Sequence, residues 1–248
     1  MVIFSINNSF PEYTRKNEGD IITFVSGLTE RFPHIVSSYL LHNSGRADIV
    51  QGDAVLIKGK ATITEHLLGK TFEINPKSFF QTNSPGAEEL YTTTTGLLKN
   101  SGGVLLDLYG GTGTIGLLLS DRFEKVYSVE IVKEASADGA RNAILNGVHN
   151  MEFVNMKTES FLKEFLAEGK KADTLVIDPP RDGMHPDALP EILKFGTKEI
   201  IYVSCNPATL TRDLEYILMN SDYRVTDVVP VDMFPHTHHI ETVVRLER

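Results

Sequence analysis

The sequence predicts an α/β fold in which a mostly parallel sheet, covered by helices on both faces, follows a small N-terminal α+β domain. Three observations carry this reading. From about residue 103 onward, apolar runs alternate with helical stretches: Val104 to Leu108, Lys125 to Val129, Met151 to Asn155, Thr174 to Ile177 and Ile200 to Val203. Strands that are apolar throughout belong in a parallel sheet buried between helix layers. A glycine-rich turn joins the first of these strands to its helix. Tyr223 to Val231 and Ile240 to Leu246 then follow each other with no helix between them, so an antiparallel C-terminal strand is expected at one edge.

Residues 1–75 make up the smaller domain. Met1 to Ile6 is a strand, and Ile21, Val25, Leu28 and Phe32 recur on one helical face, which predicts a helix over about 19–32, ended by Pro33. His34 to Leu41 reads as a strand before the turn signal Asn43-Ser44-Gly45. Val55 to Ile57 and Ala61 to Thr64 flank Lys58-Gly59-Lys60 as a hairpin, and Thr71 to Ile74 is a further strand. Residues 76–248 form the larger domain. In the stretch leading into it, Phe79 and Phe80 are expected to anchor the chain, which leaves Gln81 able to aim its amide at a ligand. Ser84 and Pro85 suit the N-cap and first turn of a helix that buries Leu90, Leu97 and Leu98. Later helices are expected at about 133–147, 158–169, 186–195 and 207–219.

A chain of 248 residues, 41% hydrophobic and 23% charged, suffices for such a core. Its single cysteine excludes an intrachain disulfide and a multi-cysteine metal site, and fits a reducing, cytoplasmic setting. No apolar run approaches bilayer length, so no membrane partner is expected. The formal charge of -9 argues against a broadly basic, nucleic-acid-coating protein. It leaves open a nucleic acid gripped in a local cationic groove.

The chemistry-bearing residues fall at strand ends. Gly111-x-Gly113-x-x-Gly116 follows a strand and opens a helix, and Glu130 closes the next strand nineteen positions after Gly111. Glycines let backbone approach a ligand closely, and the carboxylate suits ribose hydroxyls. A dinucleotide and S-adenosylmethionine both satisfy that pattern. Asp107, just before the glycines, would repel a pyrophosphate but suits the cationic methionine part of S-adenosylmethionine. Asp178-Pro179-Pro180-Arg181 is a stiff loop at the carboxyl edge of the sheet. Cys205 sits at a strand-to-helix turn where Asn206 can cap and Pro207 can start the helix, a placement that favours a thiolate. His236, His238 and His239 fall on alternating faces of an extended segment, and no metal is expected there.

Five blocks in order resemble the RNA 5-methyluridine methyltransferases: Phe79-Phe80-Gln81-Thr82-Asn83, Asp107-Leu108-Tyr109-Gly110-Gly111-Thr112-Gly113, Asp178-Pro179-Pro180-Arg181, Ser204-Cys205-Asn206-Pro207-Ala208-Thr209, and Asp232-Met233-Phe234-Pro235-His236-Thr237-x-His239-Ile240-Glu241. The resemblance implies a Rossmann-like S-adenosylmethionine methyltransferase fold and methyl transfer to C5 of a uridine in ribosomal or transfer RNA, with the Asp232 to Pro235 form leaning toward ribosomal RNA. It implies Cys205 as nucleophile and Glu241 as base. Tyr109, Thr114 and Glu130 match cofactor-contacting positions, with Gly111 and Asp107 in the same loop. Gln81 and Asp178 would line the space between cofactor and base. Arg181, Arg212 and Lys77 read as phosphate contacts, and the adenine side should come from 155–159. A monomer is expected. The resemblance begins inside the family's central domain, so the oligonucleotide-binding barrel and four-cysteine iron–sulfur site of many members are not in this sequence. Two other classes fit part of the pattern. A dinucleotide oxidoreductase explains the glycines and Glu130 but leaves Cys205 and Glu241 idle, and a non-catalytic RNA-binding fragment explains the missing parts.

Overall fold

A computed structural model of the chain describes the backbone of residues 1–7, 11–43 and 52–248, and the side chains of 1–6, 17–43 and 52–248. Ser44 and Gly45 of the expected turn lie outside these residues. The chain divides into two compact units, Met1–Glu65 with Phe72–Ser78, and His66–Thr71 with Phe79–Arg248.

In the first unit, strand β1 (Val2–Asn7), helix α1 (Pro11–Arg31) and strand β2 (Ser37–Asn43) follow one another, with β2 parallel to β1. Helix α1 begins earlier than the apolar period suggests. Residues 11–18 are polar and carry no periodic signal, while Pro11 suits a first helical turn. Val25 is fully buried, and Phe24 meets Phe4 edge to face at 6.1 Å. Strand β3 (Gly52–Gly59) pairs antiparallel with β2, and β4 (Ile63–Leu67) pairs with β5 (Lys70–Ile74). The hairpin expected across Lys58-Gly59-Lys60 is therefore absent. Gly59, at φ +90, turns the chain out of β3 after that strand has already found its partner in β2.

Among the described residues, the second unit holds a seven-stranded sheet of order β11-β12-β10-β9-β6-β7-β8. Its strands are β6 (Val104–Leu108), β7 (Lys125–Glu130), β8 (Met151–Asn155), β9 (Thr174–Ile177), β10 (Glu199–Ser204), β11 (Arg224–Val231) and β12 (Glu241–Glu247). Five neighbours from β8 to β10 run parallel, and β12 is antiparallel to both β10 and β11. Helices α2 (Ser84–Leu97), α3 (Thr114–Leu119), α4 (Lys133–Leu145), α5 (Thr158–Ala167), α6 (Ala188–Phe195) and α7 (Pro207–Met219) complete this α/β, Rossmann-like layer arrangement. Leu106, Leu108, Leu175, Ile177, Ile200 and Tyr202 are fully buried in its core.

Helix α2 is capped by Asn83, not by Ser84. The Asn83 side chain accepts from Gly86 N at 3.4 Å and donates through Nδ2 to Met233 O at 2.6 Å, so an amide with both a donor and an acceptor wins the cap position. Leu90 and Leu98 are buried as expected, while Tyr91 rather than Leu97 fills the adjoining space.

Candidate active site

The carboxyl ends of β6, β7, β9 and β10 meet along one edge of the sheet. After β6 the chain passes through Tyr109, Gly111 and Gly113, all at positive φ, before α3 begins. A Cβ on Gly113 would stand 2.5 Å from Phe153 Cε1, whereas one on Gly111 would meet nothing within 4 Å. Gly113 is required by packing. Gly111 faces open space.

Glu130, at the carboxyl end of β7, accepts from Gly111 N at 2.9 Å through Oε2 and from Val132 N at 2.7 Å through Oε1. Asn155 donates to the carbonyls of Glu130 and Ile131 at 2.9 and 2.8 Å, which fixes that strand end. Asp107 is 1% exposed. Its Oδ2 accepts from Ser128 Oγ at 2.9 Å and Gly116 N at 3.3 Å, while its Oδ1 is buried without a partner. Burial pushes this carboxyl up to about 7, against the two hydrogen bonds. Thr114 is buried beside Thr112, with the two hydroxyls 3.2 Å apart.

A cleft of about 540 Å³ opens beside this loop, walled by Tyr109, Glu130, Ile131, Lys157 to Glu159, residues 182–186 and Arg212. Of the residues matched to a cofactor by sequence, the cleft walls take up Tyr109 and Glu130. Gln81, Asp107, Gly111, Thr114 and Asp178 are not in them. Tyr109 also accepts from His185 N at 3.3 Å, so its hydroxyl ties one wall to the other.

Cys205 follows β10 directly. Asn206 caps α7, its side chain accepting from Ala208 N at 3.1 Å, and Pro207 is the first helical residue, as the sequence predicts. In the β10–β12 ladder the last pair is Ser204 with Thr242. One step further stand Cys205 and Glu241. On the other side of β10, Tyr202 pairs with Ile177, and Asp178 comes next.

The half-buried Cys205 thiol is pushed up by burial and then by the Glu241 and Asp178 carboxyls, with Arg181 acting against them. This opposes the thiolate that the strand-to-helix turn by itself favours. Proximity to a helix N-terminus is outweighed by desolvation and two carboxyls. Glu241 is also pushed up by burial, against Arg181. Asp178 keeps part of its surface, yet protein surrounds its carboxyl closely enough that burial, then Glu241 and Asp107, raise it to about 8.

Tyr91 of α2 was not singled out by sequence reasoning. It is 7% exposed, and its phenol is raised by burial and then by Asp178, Asp107 and Glu241, which places it beside the same cluster. Its helical position carries no motif, and the only signal available was an aromatic among the buried positions of α2.

Gln81 is half-buried, but Phe79 is 73% exposed and does not anchor the segment. Phe80 is half-buried. Arg181 is exposed, whereas the Arg212 guanidinium, expected to meet phosphate, is bound to Asp213 and to the carbonyls of Asp182 and Met184. His238 and His239 lie with ring centres 4.1 Å apart in the loop before β12.

The sequence model of the tRNA (uracil-5-)-methyltransferase family matches residues 56–248. An uncharacterized RNA methyltransferase of Caldanaerobacter subterraneus is 41% identical over 226 residues, covering 90% of this chain and 50% of the relative. One of Fusobacterium nucleatum is 36% identical over 250 residues, covering 100% and 52%. The chain thus spans about half the length of the curated relatives it matches. Among solved structures, the Pyrococcus abyssi tRNA (uracil-54, C5)-methyltransferase, in complex with S-adenosyl-L-homocysteine, is similar with a TM-score of 0.72 and 34% identity over 85% of this chain and 50% of that one. A putative S-adenosylmethionine-dependent methyltransferase of Streptococcus mutans, 14% identical, shares the fold with a TM-score of 0.65 over 98% and 68% of the two chains. With more than half of its residues matched by the family model, this chain belongs to the tRNA (uracil-5-)-methyltransferase family.

Proposed function

We propose that the protein transfers a methyl group from S-adenosylmethionine to C5 of a uridine in RNA through a covalent bond between Cys205 and C6. The observation that carries this reading is the juxtaposition of Cys205, Glu241 and Asp178 at one strand edge, next to a cleft headed by a ribose-type carboxylate. The loop fits the donor. Glu130 is held at the cleft wall, Gly111 opens on free space, and Asp107 Oδ1 is a buried acceptor without a partner. When bound, S-adenosylmethionine supplies an electrophilic methyl group on a cationic sulfonium. A cation held near these carboxyls would offset the burial that raises Asp107, Asp178 and Glu241, and would favour the thiolate of Cys205.

Uracil C5 is a weak nucleophile. Attack of Cys205 Sγ on C6 forms an S–C bond and pushes the ring π electrons to C5, which then bonds to the methyl carbon as the donor's S–CH3 bond breaks. Glu241 takes the C5 proton, the electrons of that C–H bond restore the C5–C6 double bond, and the Cys205 S–C bond breaks. Asp178 and Gln81 hold uracil edges or cofactor polar groups, and the exposed Arg181 meets a phosphate. The uridine has to leave its stack to reach the thiol. The assay is methyl transfer to RNA read as 5-methyluridine after digestion. Transfer and ribosomal RNA are run side by side, because the Asp232 to Pro235 form favours the ribosomal substrate. Methylated cytidine, or nicotinamide-dependent redox activity, would replace this reading.

A further inference from the structure

The loop after Asp178 is bound to the helix that follows Cys205. Arg181 O accepts from Asn206 Nδ2 at 3.0 Å and from Thr209 Oγ1 at 3.1 Å. Arg212 Nη2 donates to Asp182 O at 3.0 Å and Met184 O at 3.4 Å, and Met184 N donates to Asp213 Oδ2 at 2.8 Å. Packing reinforces these bonds. Gly183 is at φ +76, and a Cβ there would lie 2.5 Å from Arg212 Nη2 and 2.7 Å from Asp213 Oδ2.

Asp213 is fully buried and joins both flanks of the cysteine. It accepts from Tyr202 Oη at 2.6 Å, three residues before Cys205, and through Oδ1 from Arg212 Nε and Nη2 at 2.8 and 2.7 Å. The same loop walls the cleft with Asp182, Gly183, Met184 and His185, and Arg212 lines it beside them. One short loop therefore lines the cleft and is bonded to the helix after the cysteine and, through Asp213, to the strand before it.

We propose that Arg212, Asp213 and Thr209 are positioning residues that couple the cleft to Cys205, so that filling the cleft fixes the turn bearing the thiol. This rests on the cofactor reading above. Two sites that bias one clamped element are energetically linked, and such couplings span about 5–150-fold.

Cys205 is the only cysteine of the chain, so alkylation by iodoacetamide reads this residue alone. Its alkylation rate is measured with and without saturating S-adenosylhomocysteine in the wild type, in Arg212→Lys and in Thr209→Val. Lysine keeps a charge for Asp213 but cannot bridge a carboxylate and two carbonyls as the guanidinium fork does. Thr209→Val removes one hydroxyl near the surface and keeps the test readable should R212K fold poorly. Saturation is expected to slow alkylation about fivefold or more in the wild type, less than about twofold in R212K, and to an intermediate extent in T209V. A wild-type rate that ignores the ligand, or variants that respond as fully as the wild type at saturation, would overturn the coupling. Absence of ligand binding to the wild type would instead overturn the cofactor reading.

Discussion

Glu241 stands across the strand pair from Cys205, one step beyond the last registered pair of Ser204 with Thr242. Thirty-six positions of sequence separate the two residues, and the antiparallel insertion of β12 beside β10 brings them together. A carboxyl next to a thiol suits the proposed reaction, which must first attach and then release the cysteine.

Replacement of Glu241 by Gln should separate these two halves. Attack at C6 needs the thiol and not the base, so E241Q is expected to accumulate a denaturation-resistant protein–RNA species with ordinary uridine RNA, while turnover falls by about 10²–10⁴-fold. Gel shift under denaturing conditions reads the species directly. Full turnover in E241Q would remove Glu241 from the reaction.

The thiol titration has a defined sign. Burial, Glu241 and Asp178 raise it, and Arg181 lowers it. The pH midpoint of Cys205 alkylation should therefore lie above that of a free thiol, about 8.5. It should fall in E241Q and rise in Arg181→Gln. An unshifted midpoint in both variants contradicts the electrostatic account.

Asp178 makes a prediction about stability. Its folded carboxyl titrates near 8 against 3.8 for an ordinary aspartate, so between these values the folded chain holds a proton that the unfolded chain has lost. This contribution is fully present below about pH 4 and is lost as pH rises toward 8. Asp178→Asn removes the ionisation, so its melting temperature relative to wild type should climb between pH 5 and pH 8.5. A constant difference across that range would mean that burial does not raise this carboxyl.

The glycine loop distinguishes packing from backbone conformation. Gly111→Ala and Gly113→Ala both place a side chain at positive φ, which costs about 1–2 kcal/mol. Only at Gly113 does the new methyl group collide with Phe153. Chemical denaturation should show G113A as the less stable of the two, whereas equal losses would mean that Phe153 moves aside freely.

Much of this was legible beforehand because the relevant signals are local. Strand runs such as Val104 to Leu108 and the Asn206 and Pro207 start of α7 follow from apolar pattern and capping chemistry, and the structure repeats them. What sequence could not supply depends on distant partners. The β3 strand pairs with β2 instead of folding back through Lys58-Gly59-Lys60, since strand partners are chosen in three dimensions. Tyr91 joins the carboxyl cluster through helix packing, and Arg212 is occupied by Asp213 next to it and by carbonyls about thirty positions away. The upward shift of the Cys205 thiol has the same origin. A helix start is visible in sequence, but the carboxyls that oppose it come from other strands.

Trapping tests the covalent mechanism most directly. In RNA containing 5-fluorouridine, C5 carries fluorine in place of the proton that Glu241 would remove, so methylation through Cys205 should stall as a stable protein–RNA complex. With S-adenosylmethionine and an RNA that the protein methylates, the wild type is predicted to give a denaturation-resistant complex with Cys205 as the modified residue, and Cys205→Ser none. No complex from the wild type on that RNA, or an equal yield from C205S, would contradict the account.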